Sequence, residues 1–151
     1  MYLIIKTPFS KDLLIMGENK IDRIIFVQKN NTYKQTPLQK MFSMVFNKKD
    51  LSFFDYDLLN WEKLSDEQRM VYDYLRLING IITYKELGEK FGFHQRKIAY
   101  LMKKNPFVYV VPCHRVVAKN SIGGYQYSVE FKKELLDFEK NTKRSLQDGF
   151  I

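Results

Sequence analysis

Residues 83–106 read TYKELGEKFGFHQRKIAYLMKKNP, and this stretch decides how the rest of the chain is read. Thr83-Tyr84-Lys85-Glu86 is a capping box: the threonine side chain and the glutamate three residues on each satisfy a backbone N–H, so a helix begins there. Leu87 and Phe91 face inward, and Gly92 marks its end. After Gly92-Phe93-His94 a second helix is expected over residues 95–104, with Ile98 and Leu101 inward. Asn105-Pro106 ends it, because proline disfavours helical geometry in the residue before it. Two short helices joined by a glycine turn make a helix–turn–helix. His94, in that turn, is expected to make surface hydrogen bonds or touch a phosphate.

The charge pattern bears on this pair. The 151 residues hold 25 Lys or Arg and 17 Asp or Glu, a net charge of +8. Residues 1–49 carry nine basic and three acidic side chains (+6), and residues 50–82 carry three basic and seven acidic ones (−4). Residues 83–120 carry eight basic and two acidic (+6), and the remainder balances. A charge run is often only a solvated face. Here it coincides with two helices suited to a groove, which is a stronger sign of a nucleic-acid partner. A single cysteine excludes an intramolecular disulfide and a Cys-cluster metal site. Lys6 and Pro8 interrupt the first nine residues, and no stretch approaches eighteen uncharged apolar residues. No membrane association is expected, and a cytoplasmic location is.

Outward from the pair, the chain is read as two parts: residues 1–60, an N-terminal α/β lobe with its connector, and residues 61–151, which hold the helix–turn–helix. Residues 2–6, 12–16 and 21–28 are apolar runs of strand length, with Gly17-Glu18-Asn19 as a turn. Thr36-Pro37-Leu38-Gln39 opens a helix, with Thr36 as cap, Gln39 reaching back, and Leu38, Met41, Phe42 and Val45 as core. Residues 47–64 are aromatic, acidic and irregular. Ser65-Asp66-Glu67-Gln68 is another capping box, and its helix is expected to run to Asn79-Gly80 with Val71, Tyr74, Leu75 and Ile78 as one stripe. Ser128 caps a last helix reaching about Lys140, with Phe131, Leu135 and Phe138 buried; the tail from Asn141 is expected to fray.

Phe107-Val108-Tyr109-Val110-Val111 reads as a buried strand giving way to a turn at Pro112-Cys113. A lone cysteine is ordinarily a small buried hydrophobe. Cys113, however, is followed by His114 and Arg115, whose positive charge would lower a thiol pKa. Glu139 borders the apolar stripe of the last helix. Together, Cys113, His114 and Glu139 have the composition of a nucleophile, a base and an orienting acid, although spacing alone does not bring them together.

Pro112-Cys113-His114-Arg115-Val116-Val117 resembles the active-site motif of the O6-alkylguanine-DNA alkyltransferases, the methylated-DNA–protein-cysteine S-methyltransferases. The resemblance covers roughly residues 65–140 and includes Thr83-Tyr84, Arg96, Asn105-Pro106, Gly123-Gly124-Tyr125 and Glu139 in the family's order. It implies an α+β fold: a small ribonuclease-H-like N-terminal lobe, then a mainly helical lobe with a winged-helix-like helix–turn–helix. It also implies a cofactor-free, single-turnover enzyme, expected to be a monomer. Its partner would be double-stranded DNA carrying O6-alkylguanine, with O4-alkylthymine left open. The damaged base is flipped from the stack, since its O6 substituent is out of reach within the duplex, and the alkyl group passes to Cys113.

By matching position, His114 acts through a water as base, Glu139 holds its tautomer, and Asn105 ties the helix pair to the active-site segment or simply caps a helix. Tyr84 donates a proton toward N3 of the base, the alternative being a core aromatic beside Leu87. Arg96 resembles an arginine finger that replaces the extruded base. Lys97 and Arg115 join it in binding DNA, while Val116, Gly124, Tyr125 and Gln126 help form the base pocket. Two residues depart from the family pattern. Tyr100 stands on a recognition helix where the family, which reads the minor groove, prefers small residues, and Gln126 stands where the family usually has Ser. The N-terminal lobe lacks the zinc-ligand set of some members. Two readings without alkyl transfer compete: a binding-only alkyltransferase-like protein, and a plain helix–turn–helix regulator.

Overall fold

Alternating apolar residues make the first strands of the chain. In the computed structural model, which describes residues 1–30 and 32–140, β1 (Tyr2–Ile5), β2 (Lys11–Gly17) and β3 (Ile21–Gln28) form an antiparallel meander in that order. The register pairs Ile5 with Leu13, Leu13 with Phe26 and Ile15 with Ile24, so all five side chains share one buried face. The expectation for the tail from Asn141 lies outside the described residues.

Contacts divide the described residues into two units, and the first comprises Met1–Arg69 with Pro106–Val110. In it α1 (Pro37–Lys48) starts at Thr36, whose side chain accepts from the Gln39 N–H. Gln39 does not reach back to Thr36 as expected. Its amide instead bonds both backbone groups of Lys6, anchoring the helix to the end of β1. Phe42, Val45 and Phe46 face inward, and the rings of Phe9, Phe42, Phe46, Phe54 and Tyr109 form an aromatic cluster. Met41 and Leu38 are only partly covered. Residues 47–64 resolve into three single turns of 3-10 helix, at Leu51–Phe53, Tyr56–Leu58 and Trp61–Lys63.

The run at 107–111 is buried as expected but is not a strand. Only isolated bridging is made: Ile24 donates to the Pro106 carbonyl at 2.7 Å and accepts from the Val108 N–H at 3.3 Å. Tyr109 then turns into the left-handed region (φ 72°), a costly conformation for a non-glycine residue, held by packing on Phe9 and Phe46.

The second unit takes Met70–Asn105 and the chain from Val111. The helix α2 (Asp66–Leu75) has the expected capping box at Ser65 and Gln68 but ends four residues before Asn79. Its hydrogen bonds tighten there to the i−3 spacing, Leu77 to Tyr74 and Ile78 to Leu75. The two-residue strand β4 (Ile82–Thr83) leads into α3 (Tyr84–Phe91), whose Thr83–Glu86 box is formed from both sides. Then comes α4 (Gln95–Lys103), capped by His94, whose Nδ1 accepts from the Arg96 N–H at 3.0 Å. Gly88 permits the close passage of the two helices, since a Cβ there would lie 2.3 Å from the Phe93 carbonyl oxygen. The strand β5 (Val116–Val117) pairs in parallel with β4, bringing the start of α3 beside the Cys113 segment, and α5 (Val129–Lys140) completes the unit. Among the described residues the elements make five α-helices and two small sheets, a mixed α/β architecture. No helix among them is long and apolar enough to cross a membrane.

Candidate active site

Cys113, His114 and Arg115 form one turn of 3-10 helix between Pro112 and β5. This places three consecutive side chains in three different surroundings. Cys113 is 3% exposed and lines a cavity of about 540 Å³, a volume ordinary for a small-molecule pocket. Tyr84 from the start of α3, Ala99, Met102 and Lys103 from α4, and Gly124, Tyr125 and Gln126 from the turn before α5 line the same cavity. Gly123 is required beside it: its φ is +77°, and a Cβ would lie 3.2 Å from the Tyr84 ring.

His114 points the other way, fully buried, with Nε2 3.0 Å from Oε2 of Glu139. Arg115 grips the same carboxylate in a fork, Nε to Oε1 and Nη2 to Oε2 at 3.0 Å each, and its Nη1 donates to the Ile78 carbonyl. Burial works to raise the Glu139 pKa, but the Arg115 guanidinium and His114 hold it far below the usual carboxylate range. Burial lowers the His114 pKa against the pull of Glu139, so the imidazole is neutral at pH 7. An ionised Glu139 accepts, so Nε2 carries the ring proton and Nδ1 is the basic nitrogen.

Burial raises the Cys113 thiol pKa, opposed by the neighbouring polar groups of Asn105 and Tyr125 and by the charge of Lys132. The expected source of positive charge is therefore corrected: His114 is neutral, Arg115 faces Glu139, and the cation felt by the sulfur is Lys132. Asn105, at the end of α4, also donates to the Val111 carbonyl at 2.9 Å, so it ties that helix to the cysteine segment. Tyr84 and Tyr125 both have raised phenol pKa values, from burial first and from Cys113 second, and remain proton donors near neutrality.

Lys132 is the residue that sequence reasoning missed. It is 0% exposed, and its Nζ donates to the carbonyls of Val116 (2.7 Å) and Gly124 (2.9 Å) and lies 5.7 Å from the centroid of the Tyr84 ring. Burial lowers its pKa from 10.5 to about 8. The signal was present: Phe131, Lys132, Leu135, Leu136 and Glu139 share one stripe of α5, so a lysine and a glutamate both stand at core positions.

The expected site residues thus fall into three groups. Cys113, Tyr84, Gly124, Tyr125 and Gln126 meet at the cavity, joined by the unanticipated Ala99, Met102 and Lys103. Asn105, His114, Glu139, Arg115 and Val116 support it, Arg115 with its fork on Glu139 and Val116 buried with its carbonyl on Lys132. Arg96 and Lys97 lie on α4, Arg96 exposed and Lys97 with its ammonium 4.5 Å from the Phe93 ring centroid.

The family model for the DNA-binding domain of 6-O-methylguanine DNA methyltransferases matches residues 66–141. A methylated-DNA–protein-cysteine methyltransferase of Metallosphaera sedula is 32% identical over 143 residues, 88% of each chain. One from Methanocaldococcus vulcanius is 37% identical over 91 residues, 58% of this chain and 56% of that relative. This second match therefore spans little more than half of the relative's length.

Among solved structures, an O6-methylguanine-DNA methyltransferase from Pyrococcus kodakaraensis superimposes with TM-score 0.76 at 23% identity, covering 91% of this chain and 97% of its own. The Mycobacterium tuberculosis OGT in complex with DNA gives 0.67 at 21%, covering 92% of each. At these identities the likeness is one of fold. The chain belongs to the 6-O-methylguanine DNA methyltransferase family.

Proposed function

We propose that the protein repairs DNA by direct reversal, moving the alkyl group from O6 of a guanine in duplex DNA to its own Cys113 in a single turnover. The observation that carries this reading is the buried Cys113 thiol on a cavity of about 540 Å³, room enough for a flipped base, with a neutral His114 oriented by an ionised Glu139 behind it. The family relatives and the DNA-bound neighbour support it. The thiol proton leaves through a water to Nδ1 of His114, and sulfur bonds to the alkyl carbon as the C–O6 bond breaks toward oxygen. Guanine recovers a proton, so thiol and O6-alkylguanine become thioether and guanine.

Tyr84 supplies a proton at the base edge, and Gly124, Tyr125 and Gln126 border the base. Arg96, exposed at the start of α4, fills the vacated place in the stack, while Lys97 meets a phosphate. In the same reading the N-terminal sheet and its helix form a ribonuclease-H-like lobe, and the helix–turn–helix with the Cys113 segment forms the winged-helix-like lobe for DNA and chemistry. The protein acts as a cytoplasmic monomer without a cofactor. The binding-only alternatives give no role to a thiol held at such a cavity. The test is nucleoside analysis of an O6-methylguanine duplex after incubation. Guanine should be restored one for one with protein, and Cys113→Ser should restore none; turnover beyond one equivalent overturns the reading.

A further inference from the structure

The helix α4 carries one feature that alkyl transfer leaves unused. Tyr100 is a large aromatic 58% exposed on an element whose buried side is already filled by Ile98, Leu101 and Met102. At 100° per residue, Ala99 and Lys103 face the cavity, Arg96 and Tyr100 form the next row one turn apart, and Lys97 and Lys104 lie beyond. This outward arc has four basic side chains, no acidic one and a single aromatic. The Lys104 ammonium sits 5.6 Å from the Tyr100 ring centroid, so ring and cation form one surface beside the cavity mouth. Its charge is complementary to a phosphate backbone, and it continues the surface that leads to Cys113.

Resting on the reading of α4 as the DNA-contacting helix, we propose that Tyr100 is a second stacking residue, its ring meeting the base stack about two steps from the nucleotide drawn into the cavity while Lys104 holds the adjoining phosphate. Residues one turn apart on a helix are about 6 Å apart, against about 3.4 Å per base along one strand. If Arg96 occupies the vacated position, Tyr100 therefore meets the stack roughly two steps away. An aromatic wedge there stabilises a partly unstacked duplex, which assists extrusion.

The test is equilibrium binding to an O6-methylguanine duplex in a Cys113→Ser background, with Tyr100→Ala and Tyr100→Phe compared across a salt series. Loss of one stacked aromatic weakens binding by about fivefold or more. Tyr100→Ala should show that loss, Tyr100→Phe should bind within about twofold of the parent because the ring remains, and the slope of log K against log salt should stay the same because no cation is removed. Wild-type-like binding by Tyr100→Ala, equal losses in both variants, or a flattened salt slope would each overturn the stacking role. With Cys113 intact, reaction with free O6-benzylguanine should be equal in Tyr100→Ala and the parent. If the parent fails to react with that base, alkyl transfer falls, while the binding comparison still decides Tyr100.

Discussion

Replacing Lys132 by Met separates what this lysine does for the fold from what it does for the thiol. The variant keeps the side-chain length and removes the ammonium, so the Val116 carbonyl loses a buried bond of 2.7 Å and the Gly124 carbonyl a part-buried one of 2.9 Å. Leaving the buried Val116 acceptor unpaired costs about 1–3 kcal/mol, and the part-buried Gly124 carbonyl, which water can reach, costs about 1 more, so the two losses together cost about 2–4. Against this, a charge is no longer buried. The ammonium pKa falls from 10.5 to about 8, and at 1.36 kcal/mol per unit its removal returns about 3 kcal/mol. The terms nearly cancel, so the net change in stability at pH 7 should be about 2 kcal/mol or less.

Reactivity has no such compensation. Lys132 is the cation that lowers the Cys113 pKa, and losing a neighbouring opposite charge costs a thiolate roughly tenfold or more in population at neutral pH. The assay is the second-order rate with free O6-benzylguanine, followed by intact mass, beside urea melts of both proteins. A fall of about tenfold in rate with a small stability change supports the argument. Wild-type reactivity together with a loss of more than about 4 kcal/mol would make Lys132 a purely structural strut. The melts carry their own pH signature. Between about pH 8 and 10.5 the unfolded chain holds the lysine proton that the folded chain has released, so the Lys132 contribution to stability rises with pH there. The stability difference between wild type and Lys132→Met should therefore grow across that window and be constant below it.

Two further perturbations address the supporting residues. In Glu139→Gln the Arg115 guanidinium and His114 lose their buried carboxylate, which should cost about 3 kcal/mol or more and slow alkyl transfer. Because the folded Glu139 pKa lies below its ordinary 4.5, its contribution is complete above that pH and fades as pH falls, so acid titration of stability should be shallower in the variant; parallel curves would contradict this. Arg96→Ala should slow repair of duplex O6-methylguanine far more than reaction with free O6-benzylguanine, since only the duplex needs the vacated place filled; equal losses would remove that role.

Local signals in the sequence carried the helix pair. Thr83 with Glu86 and Gly92 defined helix ends that the structure keeps, and Pro112–Val117 pointed to the cysteine. The run at 107–111 was legible as buried but not as bridge and turn, because the positive φ of Tyr109 depends on packing against Phe9 and Phe46, distant in sequence. Arg115 looked like a charge for the thiol or for DNA because adjacency in sequence says nothing of direction; a 3-10 turn sends neighbouring side chains to different sides. The residue pattern does not single out Lys132, because a lysine on a helix ordinarily faces solvent, even where the stripe around it is apolar. Its two acceptors are backbone carbonyls, which leave no mark on the pattern of residue types.

Whether Cys113 is the alkyl acceptor is decided by intact mass with peptide mapping after incubation with an O6-methylguanine duplex. Each molecule should gain the mass of one CH₂, located on the peptide containing Cys113 and absent in Cys113→Ser. Tight binding to the lesion with no change in mass, or a methyl group found on another residue, would contradict it.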